Sequence, residues 1–245
     1  KLALKDSNWN PSVTHLETIE KLAPILRNLR HSDAGLPRFH GSCGDVDGQL
    51  DKALSNAESR EISSHETSVG FVKLSNSRTS VIIDAAPPPM GKKALKADAS
   101  TLAFEMVSGQ RRIFTSCGPG YLFGPDLSSE GRQTNSHCTV YVDNQNSSEF
   151  RDIEGWLQPP KKVIFNGPRN VPKEISNEEG TAIFEGAHDG YVKSHGLTHV
   201  RKLKLSQDGQ SLEGEDLMIA IEDSHKRQFD KISKKNSSDQ ISLKA

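Results

Sequence analysis

The spacing of hydrophobic positions changes once along this chain, near residue 64. Before that point, apolar residues recur every three or four positions, which predicts a helix over residues 12–31. Ser12 suits the start of that helix, and Pro24 inside it should produce a kink. A second, shorter helix is expected over residues 49–59. The first quarter of the chain is therefore predicted to contain one or two helices.

After residue 64 the apolar positions alternate, and β-branched and aromatic residues become frequent, which is typical of strands. The connections carry turn residues, such as Gln207-Asp-Gly-Gln210. Successive hairpins predict an antiparallel sheet, and their number favours a partial β-sandwich. We therefore expect a mostly β fold, preceded by one or two α-helices. The expected strands cover residues 70–74, 79–84, 100–107, 111–116, 139–143, 181–185, 190–193, 198–205 and 211–218.

The pattern ends at Glu222, after which the chain is polar and aperiodic. Such a segment has too little apolar surface to order itself, so we expect it to be disordered. The predicted organisation is a helical segment and linker over residues 1–63, a β-sandwich over residues 64–221 and a polar tail over residues 222–245.

Composition narrows the classes of function. The 245 residues carry a net charge of −1, so the chain has no basic field suited to nucleic acid. No apolar run has the ~18 residues that a membrane helix needs. Three cysteines without a CxxC spacing suggest neither a zinc knuckle nor a disulfide framework. A mean hydropathy of −0.60 is low for a complete core, so either part of the chain is loop and tail or the chain packs on something outside it. Since the chain starts at Lys1, we expect it to be a fragment.

Four blocks of sequence, in order, resemble one known family. Two of them are Ala97-Asp-Ala-Ser-Thr-Leu-Ala-Phe-Glu-Met106, followed by Asn135-Ser-His-Cys-Thr139, and Gly186-Ala-His-Asp-Gly-Tyr191, followed by residues 196–203 and 212–216. The others are residues 26–41 and 79–89. Together they resemble the C-terminal β-sheet domain of the heparinase II/III-like polysaccharide lyases, with the tail of the preceding α-toroid.

The resemblance implies a bacterial lyase of the periplasm or cell envelope that cleaves acidic, uronate-containing polysaccharide by β-elimination. That reaction needs a neutralised carboxylate, a base for the C5 proton and an acid for the leaving oxygen. In the family, tyrosine and histidine are the usual base and acid. The tyrosine and one histidine belong to the α-toroid, which we expect to lie outside this chain and to be its partner. The alternative is a non-catalytic β-sandwich that binds glycans or has a structural role in the envelope.

On the sheet side, several positions differ from the family pattern. Histidines ahead of the Phe-Glu strand would fall on Lys96 and Asp98, and a metal-binding aspartate on Ser116. Of the residues that bind a structural metal in some members, only the histidine at His137 remains. One histidine does not make a zinc site, so we expect no metal, and the resemblance implies no cofactor.

Five residues are candidates for the site. His137 is the candidate catalytic residue, at the floor of the cleft; the alternative is a histidine that caps a loop. Lys96 and Arg132 could face a substrate carboxylate, Arg132 with two parallel hydrogen bonds, or could be ordinary surface residues. His188 and Tyr191 are candidate substrate-binding residues.

His195 and His199 resemble a metal pair four residues apart, but in a strand such residues are too far apart.

Overall fold

Two four-stranded antiparallel sheets, packed face to face, form the centre of the fold in the computed structural model, which describes residues 12–44, 48–55, 69–155, 158–235 and 243–244. The fold is therefore mostly β and antiparallel, as predicted. None of the described helices is long and apolar enough to cross a membrane.

The first sheet consists of β1 (Phe71–Asn76), β2 (Thr79–Asp84), β3 (Phe104–Ser108) and β4 (Arg111–Phe114). They lie in that order, so each strand pairs with its neighbour in sequence. Residues of β2 are buried at every position, because one face meets the second sheet and the other is covered by the chain that follows the first helix.

The second sheet has the order β11-β10-β9-β8. Its strands are β8 (Lys173–Glu178), β9 (Thr181–Tyr191), β10 (Leu197–Leu205) and β11 (Leu212–Ile219). Two two-stranded sheets complete the set: β6 (Glu149–Gly155) pairs with β7 (Gln158–Asn166), and β5 (Tyr141–Val142) pairs with β12 (Leu243–Lys244).

The predicted break between strands over residues 181–185 and 190–193 is wrong, because β9 runs through Gly186-Ala-His-Asp-Gly190 as one strand. Glycine at position 186 leaves room for a neighbouring aromatic ring. A Cβ at Gly186 would lie 2.6 Å from Cζ of Phe184, so only glycine lets the ring lie across the strand. The turn comes later, at the short helix α3 (Val192–His195), which ends on Gly196 with φ of 71°.

The core lies between the two sheets. Alternate side chains of β1, β2 and β3 meet those of β9 and β10, which buries apolar area that stabilises the fold by about 25 cal/mol per Å². The buried members of this cluster are Val72, Leu74, Val81, Ile83, Ala85, Leu102, Met106, Ala182, Phe184, Leu203 and Leu205.

Two helices precede the sheets. The helix α1 (Val13–Asn28) begins after Ser12, whose hydroxyl accepts a hydrogen bond from the His15 backbone N–H, and it contains Pro24 as predicted. The second helix, α2 (Gln49–Ser55), starts where predicted, and the rest of its predicted span lies outside the described residues.

The predicted disorder after Glu222 is wrong for residues 223–235, which form the helix α4 (Asp223–Lys235). Phe229 of this helix packs against a small core of Val140, Val142, Tyr191 and Leu197. The helix is otherwise polar, so few apolar residues were available to reveal its period. Where the domains begin and end stays a prediction.

Candidate functional site

Arg132 joins three segments around the predicted site. Its guanidinium donates to the carbonyl oxygens of Ala94, Ala97 and Lys162, at 2.6–2.9 Å. These bonds use four of its five N–H groups: Nε–H, both N–H of one terminal nitrogen and one of the other. A single N–H remains, so Arg132 cannot hold a carboxylate through two parallel bonds as the sequence suggested.

His137 is buried beside this joint. The residue is 7% exposed, and both ring nitrogens are buried without a hydrogen-bond partner among the described residues. Burial lowers the pKa of His137 to about 4, although the Asp84 carboxylate favours the charged form. The ring is therefore neutral at pH 7, and it neither caps a loop nor reaches solvent.

Lys96 lies on the surface, on the turn that Arg132 holds. A Cβ at Gly41 would lie 2.9 Å from Cβ of Lys96, so the chain after α1 passes directly over the stem of this lysine. Of the five predicted site residues, Lys96 is the most exposed.

The two other positions that differ from the family pattern have structural contacts. Asp98 accepts a hydrogen bond from the His40 backbone N–H, at 2.5 Å, and the Asp98 N–H donates to Nδ1 of His40 at 3.0 Å. Burial raises the pKa of the Asp98 carboxyl to about 6, although His40 and Arg132 favour its charged form. The Ser116 N–H donates to Oε1 of Glu105.

His40 and Asp84 were not predicted as site residues, although they lie within the blocks that carry the resemblance. Nε2 of His40 lies 3.1 Å from Oδ2 of Asp84, which also accepts from the Ser100 hydroxyl at 2.6 Å. Since Nδ1 of His40 already accepts a backbone N–H, the ring proton sits on Nε2 and points at Asp84. Asp84, Asp98 and His40 therefore fasten the chain after α1 to the first sheet.

A second buried carboxylate fastens the same chain segment. Glu105 accepts from the backbone N–H of Arg38 at 2.9 Å and from the Arg112 guanidinium at 3.4 Å. His31 lies 3.7 Å from the same carboxylate and 3.0 Å from the Ser80 hydroxyl. Within the described residues, the acidic groups of this region are engaged by protein donors, and none is presented to solvent as a base.

His188 and Tyr191 lie together in the core of the second sheet, 1% and 0% exposed, so neither can touch a substrate on the surface. The Tyr191 hydroxyl donates to the Val140 carbonyl at 2.7 Å. Nε2 of His188 contacts Nδ1 of His199, and Nε2 of His199 lies 2.7 Å from Oδ1 of Asp216. These buried contacts therefore have a structural role.

Arg201 connects this network to the loop that carries His137. Its guanidinium pairs with both oxygens of Asp216, at 2.8 Å, and donates to the carbonyls of Leu102 and Cys138. The position of the His137 loop therefore depends on the second sheet as well as on Arg132.

In the part of the chain that the structure describes, no three His, Cys, Asp or Glu side chains converge on a point where a metal could bind. At the positions expected from the family, Asp98 and Ser116 have the protein contacts given above, and the nitrogens of His137 have none.

Comparison with known proteins agrees with the fold and with the sequence resemblance. The chain is 27% identical over 206 residues to FtsZ-localized protein C of Caulobacter vibrioides, covering 83% of this chain and 35% of that protein. Its fold is similar to that of heparan sulfate lyase HepC from Pedobacter heparinus, with a TM-score of 0.57 at 16% identity, covering 85% of this chain and 33% of that one. It is also similar to a heparinase III, with a TM-score of 0.60 at 15% identity, covering 85% of this chain and 35% of the other.

The chain thus spans about a third of the length of these relatives. The family described as "Heparinase II/III-like, C-terminal" matches residues 60–231, which include both sheets and most of α4. This chain belongs to the heparinase II/III-like C-terminal family.

Proposed function

We propose that this chain is the sheet-side part of a lyase that acts on acidic, uronate-containing polysaccharide by β-elimination, and that its role is to bind the polymer. The observation that carries the proposal is the cationic edge formed by exposed Lys96 on the turn that Arg132 holds in place. A cation there can offset the charge of a substrate carboxylate, which the reaction requires before a proton can leave C5.

Within this proposal, the catalytic base and acid belong to the toroid part of the longer protein. The described residues support that division. His137 is buried and neutral, and the carboxylates of Asp84, Asp98 and Glu105 are bonded to protein donors. The sheet side would thus position the polymer, and residues outside this chain would transfer the protons.

A second candidate is a non-catalytic glycan-binding or structural sandwich. The observation that favours it is the replacement of the family's sheet-side histidines by Lys96 and Asp98, with His137 left inaccessible. In this case the polymer would bind and remain uncleaved by any form of the protein.

One pair of measurements tests both candidates. The chain is mixed with polygalacturonate, alginate or heparan sulfate, and binding is followed by calorimetry while near-ultraviolet absorbance reports unsaturated uronate. The same assay is run on the longer protein. Absorbance that rises only with the longer protein supports the lyase proposal, and binding without any rise supports the second candidate. If no uronate polymer binds to either form, both proposals fail.

We also propose a location. A uronate polymer as substrate favours the periplasm or cell envelope. The relative named for its localization with FtsZ supports a position at FtsZ instead. A fluorescent fusion of the longer protein, imaged together with labelled FtsZ, separates a uniform envelope signal from one that coincides with FtsZ.

A further inference from the structure

A polar groove runs along the surface beside Arg132. It consists of two neighbouring pockets of about 490 and 450 Å³, which have Gln145, Asn146 and Glu149 in common. Each volume falls within the range of small-ligand sites, which is about 300–1,000 Å³. The first pocket extends from Arg132 to Phe150 and Lys162, on β6 and β7, and the second lies against the end of β9 and α3.

The acidic groups of the groove are already neutralised or bonded. Glu149 accepts from Nζ of Lys193 at 2.7 Å and from the Asn166 amide at 3.1 Å, and these contacts lower its pKa. Asp189 accepts from the Arg169 backbone N–H at 2.9 Å.

The basic groups of the first pocket are less fully compensated. Lys162 is exposed, and although Asp152 is its register partner on β6, no ion pair within 4.0 Å joins the two among the described residues. Arg132 bonds to neutral carbonyls and keeps one N–H, with the Asp98 carboxylate 3.9 Å from its Nε. The charged residues that line the first pocket are thus Arg132, Lys162 and Glu149, and Glu149 is already paired with Lys193, so the lining favours an anionic group.

The remaining walls have the composition of a sugar site. Phe150 lines the first pocket and has the Arg132 guanidinium 5.1 Å from its ring centre, so the ring is held in place. Asn144, Gln145 and Gln133 line the same pocket with amide groups that can both donate to and accept from hydroxyls. An apolar ring with amides and a free cation suits a sugar with several hydroxyls and one negative charge.

We propose that the first pocket is a subsite for one anionic sugar unit, with the Lys162 ammonium contacting its carboxylate or sulfate. This inference rests on the proposed function, since it assumes that the ligand is an acidic polysaccharide. It places a second cation for the polymer on β7, on the far side of Arg132 from Lys96.

The test is Lys162→Gln in this chain, with trigalacturonate as the carboxylate probe and a heparan sulfate hexasaccharide as the sulfated one. Losing one charge-assisted contact should weaken binding about tenfold. The matched control is Lys231→Gln, which removes the same charge from an exposed site on α4, outside the groove. Lys162→Arg should retain most of the affinity. All three variants should unfold at the temperature of the parent, because both lysine side chains are exposed.

The outcomes separate this subsite from the proposed function. Weaker binding for Lys162→Gln alone supports the subsite, and the probe that loses more affinity identifies the anion. If trigalacturonate and the hexasaccharide bind equally well to the parent and to Lys162→Gln, the subsite is wrong while the polysaccharide proposal stands. If neither probe nor any uronate polymer binds to the parent, both are overturned.

Discussion

Nε2 of His188 lies 3.1 Å from Nδ1 of His199, inside the second sheet. Nδ1 of His188 accepts the Gly190 backbone N–H, so its proton is on Nε2 and is donated to His199. This leaves His199 with its proton on Nε2, 2.7 Å from Oδ1 of Asp216. The chain of bonds is complete only when both rings are neutral.

This arrangement predicts a loss of stability in mild acid. Burial lowers the pKa of His188 well below its ordinary value and also lowers that of His199. Between those pKa values and about 6.5, the unfolded chain binds more protons than the folded chain, so stability falls as pH drops below about 6.5. Each histidine contributes a slope of up to about 1.4 kcal/mol per pH unit. Urea unfolding at a series of pH values from 7.5 to 5 measures this slope.

The Arg201–Asp216 pair should be the most costly of these contacts to break. Burial alone would raise the pKa of Asp216, but hydrogen bonds from His199 and Arg201 hold it below its ordinary value. Asp216→Asn leaves a buried guanidinium without its carboxylate, and we expect a loss of about 2–3 kcal/mol, since Asp216 is partly exposed. Glu215→Gln, exposed on the same strand, should change stability by less than about 0.5 kcal/mol. Equal losses of stability for Asp216→Asn and Glu215→Gln would show that the Arg201–Asp216 pair contributes no more than an exposed carboxylate does.

Arg132→Met should destabilise the site by about 2–4 kcal/mol. Methionine can keep the contact with Phe150, but the carbonyls of Ala94, Ala97 and Lys162 lose their donor. Arg151→Met is the matched control, because its guanidinium also stands over a ring, that of Phe165 at 3.6 Å, on the surface. It should cost about 1 kcal/mol or less. Chemical unfolding of both variants at pH 7.5 makes the comparison.

His137→Leu should leave the fold intact. Both ring nitrogens are buried without partners, so an apolar side chain of similar size removes two unsatisfied groups, and the change should be within about 1 kcal/mol. His40→Leu, in contrast, removes bonds to Asp84 and Asp98 and should cost about 2–3 kcal/mol. If His137→Leu unfolds the protein, the ring has a structural role. If the variant folds but loses polymer binding, His137 belongs to the site.

Asp98 should give the opposite dependence on pH to that of the histidines. Its pKa is raised to about 6, so the folded chain binds its proton more tightly than the unfolded chain does, and stability falls as pH rises from about 4 to 6. Asp98→Asn removes this contribution and should therefore make the acid loss from the histidines steeper over that interval. A slope that matches the parent would show that the pKa of Asp98 is not raised in the folded chain.

Strands β1, β2, β3 and β10, which have an apolar face toward the core, were all predicted. Strand β2 was predicted with the bounds that it has, and β10 and β11 within one residue at each end. Strands β6, β7 and β8 were not predicted, because lysine, glutamate and glutamine give them little alternation. The helix α4 was missed for a related reason, since it has few apolar side chains to reveal its period.

By itself, the sequence determined the class of fold and the family, because local periodicity and the order of short motifs are encoded in neighbouring residues. Tertiary structure decided what the polar residues do. Whether His188 meets substrate or His199, and whether Arg132 meets a carboxylate or three carbonyls, depends on segments that lie 11 to 38 residues apart in the chain. Burial then sets the charge of His137 and Asp98, and burial is a property of the packed sheets rather than of the residues beside them.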